Sequence, residues 1–163
     1  MPVVSGAEFL KAARKGGYAV GGYNTNNLEW TQAILEAAEA KKAPVLIQTS
    51  MGAAKYMGGY KVAKDMITNL VDSMNITVPV AIHLDHGDYE AALECIEVGY
   101  TSIMFDGSHL PFEENLKLAT DVVEKAHAKG ISVECEVGSI GGEEDGIIGT
   151  GEFADTEECK QLV

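Results

Sequence analysis

The stretch VAIHLDHGDYE, residues 80–90, decides how the rest of the chain is read. It begins as a run of β-branched and apolar residues, the composition of a buried strand. It ends in two histidines and two aspartates. A strand can place ionisable groups at its end without burying them unpaired only if that end opens into a polar site, since isolated buried charges cost several kcal/mol or neutralise. Alternation sharpens this: His83 and Asp85 share one face, while Ile82 and Leu84 take the other.

Working outward, short β-rich runs alternate with longer stretches of helical period, the pattern of βα units feeding a parallel sheet. Strands are expected at 18–24, 44–50, 78–85, 100–106 and 131–137. Helices lie between them. Residues 27–41 would bury Trp30, Ile34, Ala37 and Ala38, and residues 112–129 would bury Leu116, Ala119, Val123 and Ala126. Pro111 before the second and Gly130 after it match the start and stop preferences of helices. The last residues, DTEECKQLV, open another helix with Asp155 or Thr156 as N-cap. No linker or low-complexity tract divides the chain, so residues 1–163 are expected to be a single domain. Five strands and an opening sixth unit fall short of the roughly 250 residues of a closed (β/α)8 barrel. The chain is therefore either a smaller open α/β sheet or the front part of a barrel.

Each strand ends in a polar residue: Asn24, then Gln48 and Ser50, then Asp85 and His86, then Asp106, then Glu136. In parallel α/β folds ligands sit at the carboxyl ends of strands, and in barrels several strand ends contribute at once. Glu134 and Glu136 share a face, with Cys135 opposite. The faces carrying Asp85, Asp106, Glu134 and Glu136 are thus expected to look into a polar, metal-binding cavity. Imidazole suits Zn²⁺, and carboxylates suit zinc or harder cations. After the last strand, EVGSIGGEEDGIIGTGE (136–152) holds six glycines and five acids. It reads as a mobile loop that swings Glu143 or Glu144 inward as an acid or base, or as an acidic surface loop. No P-loop or dinucleotide-binding fingerprint is present.

Twelve basic against twenty-five acidic residues give a net charge of −13. That disfavours nucleic acid and anionic membranes, which require lysine and arginine. No apolar run reaches spanning length, so no membrane association and a cytoplasmic location are expected. Three cysteines without a paired spacing read as reduced, buried thiols.

PVAIHLDHG (79–87) and VECEVGSIGGEEDG (133–146) resemble the two signature blocks of the class II, metal-dependent fructose-1,6-bisphosphate aldolases. GGYNTNNLEW, LIQTSMGAAKYMGG and TSIMFDGSHLPFEEN carry the likeness through most of the chain. The resemblance implies a (β/α)8 TIM barrel, of which this chain holds roughly the first five βα units. It implies cleavage of fructose 1,6-bisphosphate to dihydroxyacetone phosphate and glyceraldehyde 3-phosphate, as a homodimer. It makes His86 a Zn²⁺ ligand, and Asp106 and Glu136 carboxylates for a second divalent or monovalent cation. Asp85 becomes the acid/base at the aldehyde-derived oxygen, and Glu144 exchanges the proton on dihydroxyacetone phosphate. Asn24 and Ser50 lie near the glyceraldehyde 3-phosphate half, and His83 orients its neighbours. In the family, further zinc histidines and the phosphate-holding segments lie beyond residue 163, so the isolated chain is expected to be inactive. Tagatose 1,6-bisphosphate is the alternative substrate. A zinc hydrolase and a non-catalytic half-barrel are the rival readings.

Overall fold

The computed structural model describes residues 2–144 and 147–163, with the side chains of 139–141, 143, 144, 147–150 and 152 outside the description. Five strands, β1 (Gly21–Asn24), β2 (Val45–Ser50), β3 (Val80–Gly87), β4 (Ser102–Phe105) and β5 (Ser132–Cys135), form one sheet in that order. Every neighbouring pair is parallel and strand order follows chain order, as in the wall of a barrel. All five strands expected from the sequence are present, most of them shorter at the ends.

Helices α1 (Gly6–Gly16), α2 (Leu28–Lys41), α3 (Met51–Met57), α4 (Tyr60–Ser73), α5 (Tyr89–Val98) and α6 (Phe112–Ala128) precede or connect the strands, and α7 (Thr156–Leu162) closes the chain. Several start where a side chain satisfies the first amides: Asn27 for α2, Ser50 for α3, Asp88 for α5 and Asp155 for α7. Pro111 is the N-cap of α6, and Gly130, at φ 75°, follows its end.

The sheet has two chemically different faces. On the helix side, Val45, Ile47, Val80, Ile82, Leu84, Ile103 and Phe105 pack against Leu35, Ile67, Val71, Ile96 and Val122 in the main core. Each such side chain, fully removed from water, contributes about 1.5–3 kcal/mol. On the other face, Leu46 and Ala81 pack on Phe9 of α1 with Val4 and Val20 alongside, and apart from Met104 the positions beyond them are mostly polar, among them Gln48, Ser50, His83, Asp85, Ser102 and Glu134. Apolar burial thus fixes one face, and the other is left for chemistry.

Two expected helix faces are borne out at Ala38, Ala119 and Ala126 and shifted by about one residue elsewhere. On α2 the buried residues are Thr31, Leu35 and Ala38, while Trp30 is 54% exposed. Thr31 is drawn inward because its hydroxyl bonds to Thr25 and to the Asn27 carbonyl. On α6 the stripe is Asn115, Ala119, Val122 and Ala126, one residue away from Leu116 and Val123. The glycine-rich run is also corrected: its backbone forms two antiparallel strands, β6 (Ser139–Glu144) and β7 (Ile147–Glu152), paired apart from the main sheet.

Candidate active site

The end of β3 departs from a regular ladder. Leu84 pairs with Ile103 and Gly87 with Phe105, so Asp85 and His86 together oppose Met104. One extra residue on one strand is a β-bulge, which re-aims side chains. His86 absorbs it with φ 48°, a left-handed conformation that costs a β-carbon-bearing residue about 1–2 kcal/mol. Strict alternation would send His86 to the apolar face opposite Asp85. The bulge turns it instead toward the acids at the ends of β4 and β5.

There, His86 Nδ1 lies 2.9 Å from Asp106 Oδ2 and 3.7 Å from Glu136 Oε2. Asp106 and Glu136 each stand one residue past the last rung of the β4–β5 ladder, Phe105↔Cys135. One ligand atom from each of the three residues falls within 4.8 Å of the others, and all three side chains are mostly buried. An imidazole and two carboxylates converging at this distance form a donor set that fits a divalent cation, zinc included. Burial works to raise the Asp106 carboxyl, but the His86 ring and the Ser108 amide and hydroxyl outweigh it, so its pKa lies below the ordinary value. Asp106 is therefore ionised and ready to act as a ligand.

Asp85 lies on the same polar face, toward β1. Its Oδ2 accepts a hydrogen bond from Asn24 Nδ2 at 2.6 Å. Gln48 Nε2 lies 3.5 Å from Asn24 Oδ1, bracing the amide from β2. Gly22 makes room for Gln48, since a β-carbon there would stand 1.8 Å from Gln48 Oε1. Ser50 pairs in register with Asp85, but its hydroxyl caps α3 by accepting from the Ala53 amide.

His83 sits one layer deeper and is 3% exposed. Its Nδ1 lies 2.8 Å from Ser102 Oγ, which in turn accepts from Ser132. Burial pulls its pKa down to about 4, against the opposing influence of Asp85, so the ring is neutral at pH 7. Its 3.8 Å approach to Glu134 Oε2 is therefore a contact of a neutral ring and not an ion pair. Glu134, whose side chain is 61% exposed, is pushed upward by partial desolvation first and then by Asp85.

The structure thus brings Asn24, Ser50, Asp85, His86, Asp106 and Glu136 to the same end of the sheet. The side chain of Glu144 lies outside the described residues, and only its backbone at the end of β6 is placed. His109 and His127 are exposed. Sequence reading missed Asn115, which is buried beneath the site and donates to the Glu136 carbonyl at 2.9 Å. Its signal was an amide at a position where the stripe of α6 calls for an apolar residue. A cavity of about 700 Å³ lies elsewhere, between β1 and α2, lined by Tyr18, Tyr23, Ile34, Ala37 and Val45. Lys41 and Lys42 are its only ionisable groups besides the tyrosines, so it lacks the acids and imidazoles found at the strand ends.

Three groups that could hold a cation and a braced carboxylate thus stand on successive strand ends of a parallel α/β sheet, the place where barrel folds carry their sites. Residues 4–163 match the family described as fructose-bisphosphate aldolase class-II, and the chain belongs to that family. It is 80% identical over 163 residues to a fructose-bisphosphate aldolase of Streptococcus pneumoniae and 77% identical to one of Streptococcus pyogenes, covering all of this chain and 56% of each relative. A fructose-bisphosphate aldolase of Geobacillus stearothermophilus is 55% identical over 165 residues. Among solved structures, the YdjI aldolase of Escherichia coli K12 superposes with a TM-score of 0.83 at 27% identity, over 98% of this chain and 57% of that one. A fructose-bisphosphate aldolase of Campylobacter jejuni gives a TM-score of 0.71 at 28% identity, over 87% of this chain and 48% of that one. The chain spans a little over half the length of the curated relatives it matches.

Proposed function

We propose that this chain supplies the base and part of the cation site of a class II aldolase that cleaves fructose 1,6-bisphosphate into dihydroxyacetone phosphate and glyceraldehyde 3-phosphate. The observation that carries the reading is the convergence of His86, Asp106 and Glu136 beside the Asn24–Asp85 pair. Cleaving the C3–C4 bond requires removal of the C4 hydroxyl proton and stabilisation of the carbanion left on C3. Among the described residues gathered at the strand ends the candidate groups are carboxylates, an imidazole, an amide and a hydroxyl, which favours a metal as the electrophile. His86 would hold Zn²⁺, and Asp106 and Glu136 would hold it in an alternative position or hold a second divalent or monovalent cation. When bound, the metal supplies Lewis-acid stabilisation of developing oxyanion charge.

Asp85 takes the C4 hydroxyl proton, and Asn24 holds its carboxylate so that one oxygen is engaged and the other is free to accept. Asn24 and Ser50 are assigned to the glyceraldehyde 3-phosphate half, and the Ser50 hydroxyl also caps α3 by accepting from the Ala53 amide. Glu144 is assigned the proton exchanged on dihydroxyacetone phosphate. The relatives' names support the fructose substrate over tagatose 1,6-bisphosphate. We further assign the chain to a single domain within a longer barrel that acts as a homodimer in the cytoplasm. No helix among the described residues is long and apolar enough to cross a membrane.

The test is His86→Ala in the complete polypeptide that carries this sequence. Metal content and fructose bisphosphate cleavage should both collapse. Unchanged metal content together with unchanged cleavage would remove His86 from the site and the reading with it.

A further inference from the structure

Asn115 lies in the first turn of α6 and is 2% exposed. Its Nδ2 donates to the main-chain carbonyl of Glu136 at 2.9 Å. Its Oδ1 accepts no hydrogen bond among the described residues, and it lies so close to Gly107 that a β-carbon there would stand 2.4 Å from it. One amide therefore touches both carboxylate-bearing strand ends, beside the residue after Asp106 and on the backbone of Glu136. Both ends have already left the β4–β5 ladder, whose last pair is Phe105↔Cys135. Asp106 is tied back to β3 by its amide, which donates to the Gly87 carbonyl at 2.9 Å. For Glu136 the Asn115 amide does the corresponding work.

A buried amide oxygen without a donor lowers stability, and an apolar residue would complete the stripe that continues through Ala119, Val122 and Ala126. The bond to Glu136 stabilises the fold, but the unpaired oxygen on the same side chain offsets it, so packing alone does not select an asparagine here. We propose that Asn115 is a positioning residue: it sets the separation of the Asp106 and Glu136 carboxylates, and through it the affinity of the site for a divalent cation. The proposal rests on reading His86, Asp106 and Glu136 as a cation site. A small rotation of the Glu136 backbone moves its carboxylate at the far end of a three-bond arm. Partners that orient ligands are commonly worth 10- to 100-fold in metal affinity.

The experiment compares Asn115→Leu, Asn115→Ala, Val122→Ala and His86→Ala in the complete polypeptide. Co²⁺ and Zn²⁺ affinities are measured by chelator competition, the Co²⁺ ligand-field spectrum is recorded, and the metal-free proteins are melted. Both Asn115 variants should bind Co²⁺ about 10- to 100-fold more weakly, with an altered ligand-field band. Val122→Ala, at the same depth on the same helix, should lower the melting temperature and leave affinity unchanged. Asn115 variants that bind within twofold of the parent would overturn the proposal. So would a Val122→Ala variant that loses as much affinity as they do, because affinity would then simply follow stability. If His86→Ala binds metal like the parent, the cation site itself is wrong and the proposal falls with it. If His86→Ala loses the metal while the Asn115 variants keep it, only the role of Asn115 is refuted.

Discussion

Asn24 donates its side-chain amide to Asp85 across 2.6 Å, joining the end of β1 to the end of β3 over the intervening β2. A carboxylate with one oxygen so held presents the other in a defined direction, which is what a base that must meet a single hydroxyl requires. Asp85→Ala should leave metal content intact and lower kcat for cleavage by on the order of 10²-fold or more. Asn24→Ala should cost about tenfold, because the base remains but is no longer aimed. Proton exchange on dihydroxyacetone phosphate, assigned to Glu144, should survive Asp85→Ala better than cleavage does. Equal losses in the two assays would refute that division of roles.

Gly87 closes the bulge in a space with no room for a side chain. A β-carbon there would lie 2.2 Å from Leu84 Cδ2 and 3.3 Å from the Met104 carbonyl oxygen. Gly87→Ala should destabilise the protein by about 1–3 kcal/mol through overpacking, and should displace His86 as well. Urea unfolding and zinc content, measured on the same preparation, would check both effects; a stable variant with normal zinc would show that the bulge tolerates widening.

Thr49 and Tyr100 share a hydrogen bond of 2.8 Å, with both residues sealed from solvent. Tyr100→Phe should cost about 1–3 kcal/mol, because it leaves the Thr49 hydroxyl buried without its partner. Adding Thr49→Val should return most of that loss. A double variant no better than the single one would mean that the cost lies in packing against Tyr60, whose ring meets Tyr100 edge-on at 6.1 Å.

Glu39 ties α2 to the entrance of β3, pairing with Lys42 and accepting from the Thr77 amide and hydroxyl and the Val78 amide. The Lys42 ammonium first, and then Thr77, lower its pKa from 4.5 to about 2. A depressed carboxylate stabilises the fold fully above its unfolded value and ceases to do so as pH falls through the folded one. The urea midpoints of parent and Glu39→Gln should therefore differ most at neutral pH and converge between about 4.5 and 2. A gap that stays constant down to the lower value would show that the carboxylate's charge is not what holds the helix.

Strand order and the convergence of Asp85, His86, Asp106 and Glu136 were legible because a parallel sheet turns linear order into spatial order. A polar residue at each strand end then becomes a neighbour of the next. Helix faces were less legible. Trp30 offers far more apolar surface than Thr31, yet Thr31 is the buried one because its hydroxyl finds partners in Thr25 and Asn27. The bulge could not be read at all. Period-two alternation through VAIHLDHG predicts that Asp85 and His86 point apart, and only the pairing with β4 shows that one residue too many has been fitted in. The antiparallel β6–β7 pair was hidden by glycines that resemble a loop in composition.

The extra residue at Asp85–His86 separates two demands that most active sites entangle. Deleting one of the pair would restore an unbroken ladder from Leu84 to Gly87 and relieve the left-handed backbone of His86. The scaffold would lose a local strain, while the imidazole or the base would leave the mouth of the sheet. On the proposed reading, catalytic capacity would be encoded here as a count of residues as well as a choice of side chains. A one-codon deletion could leave behind a sound but chemically silent descendant of the same architecture.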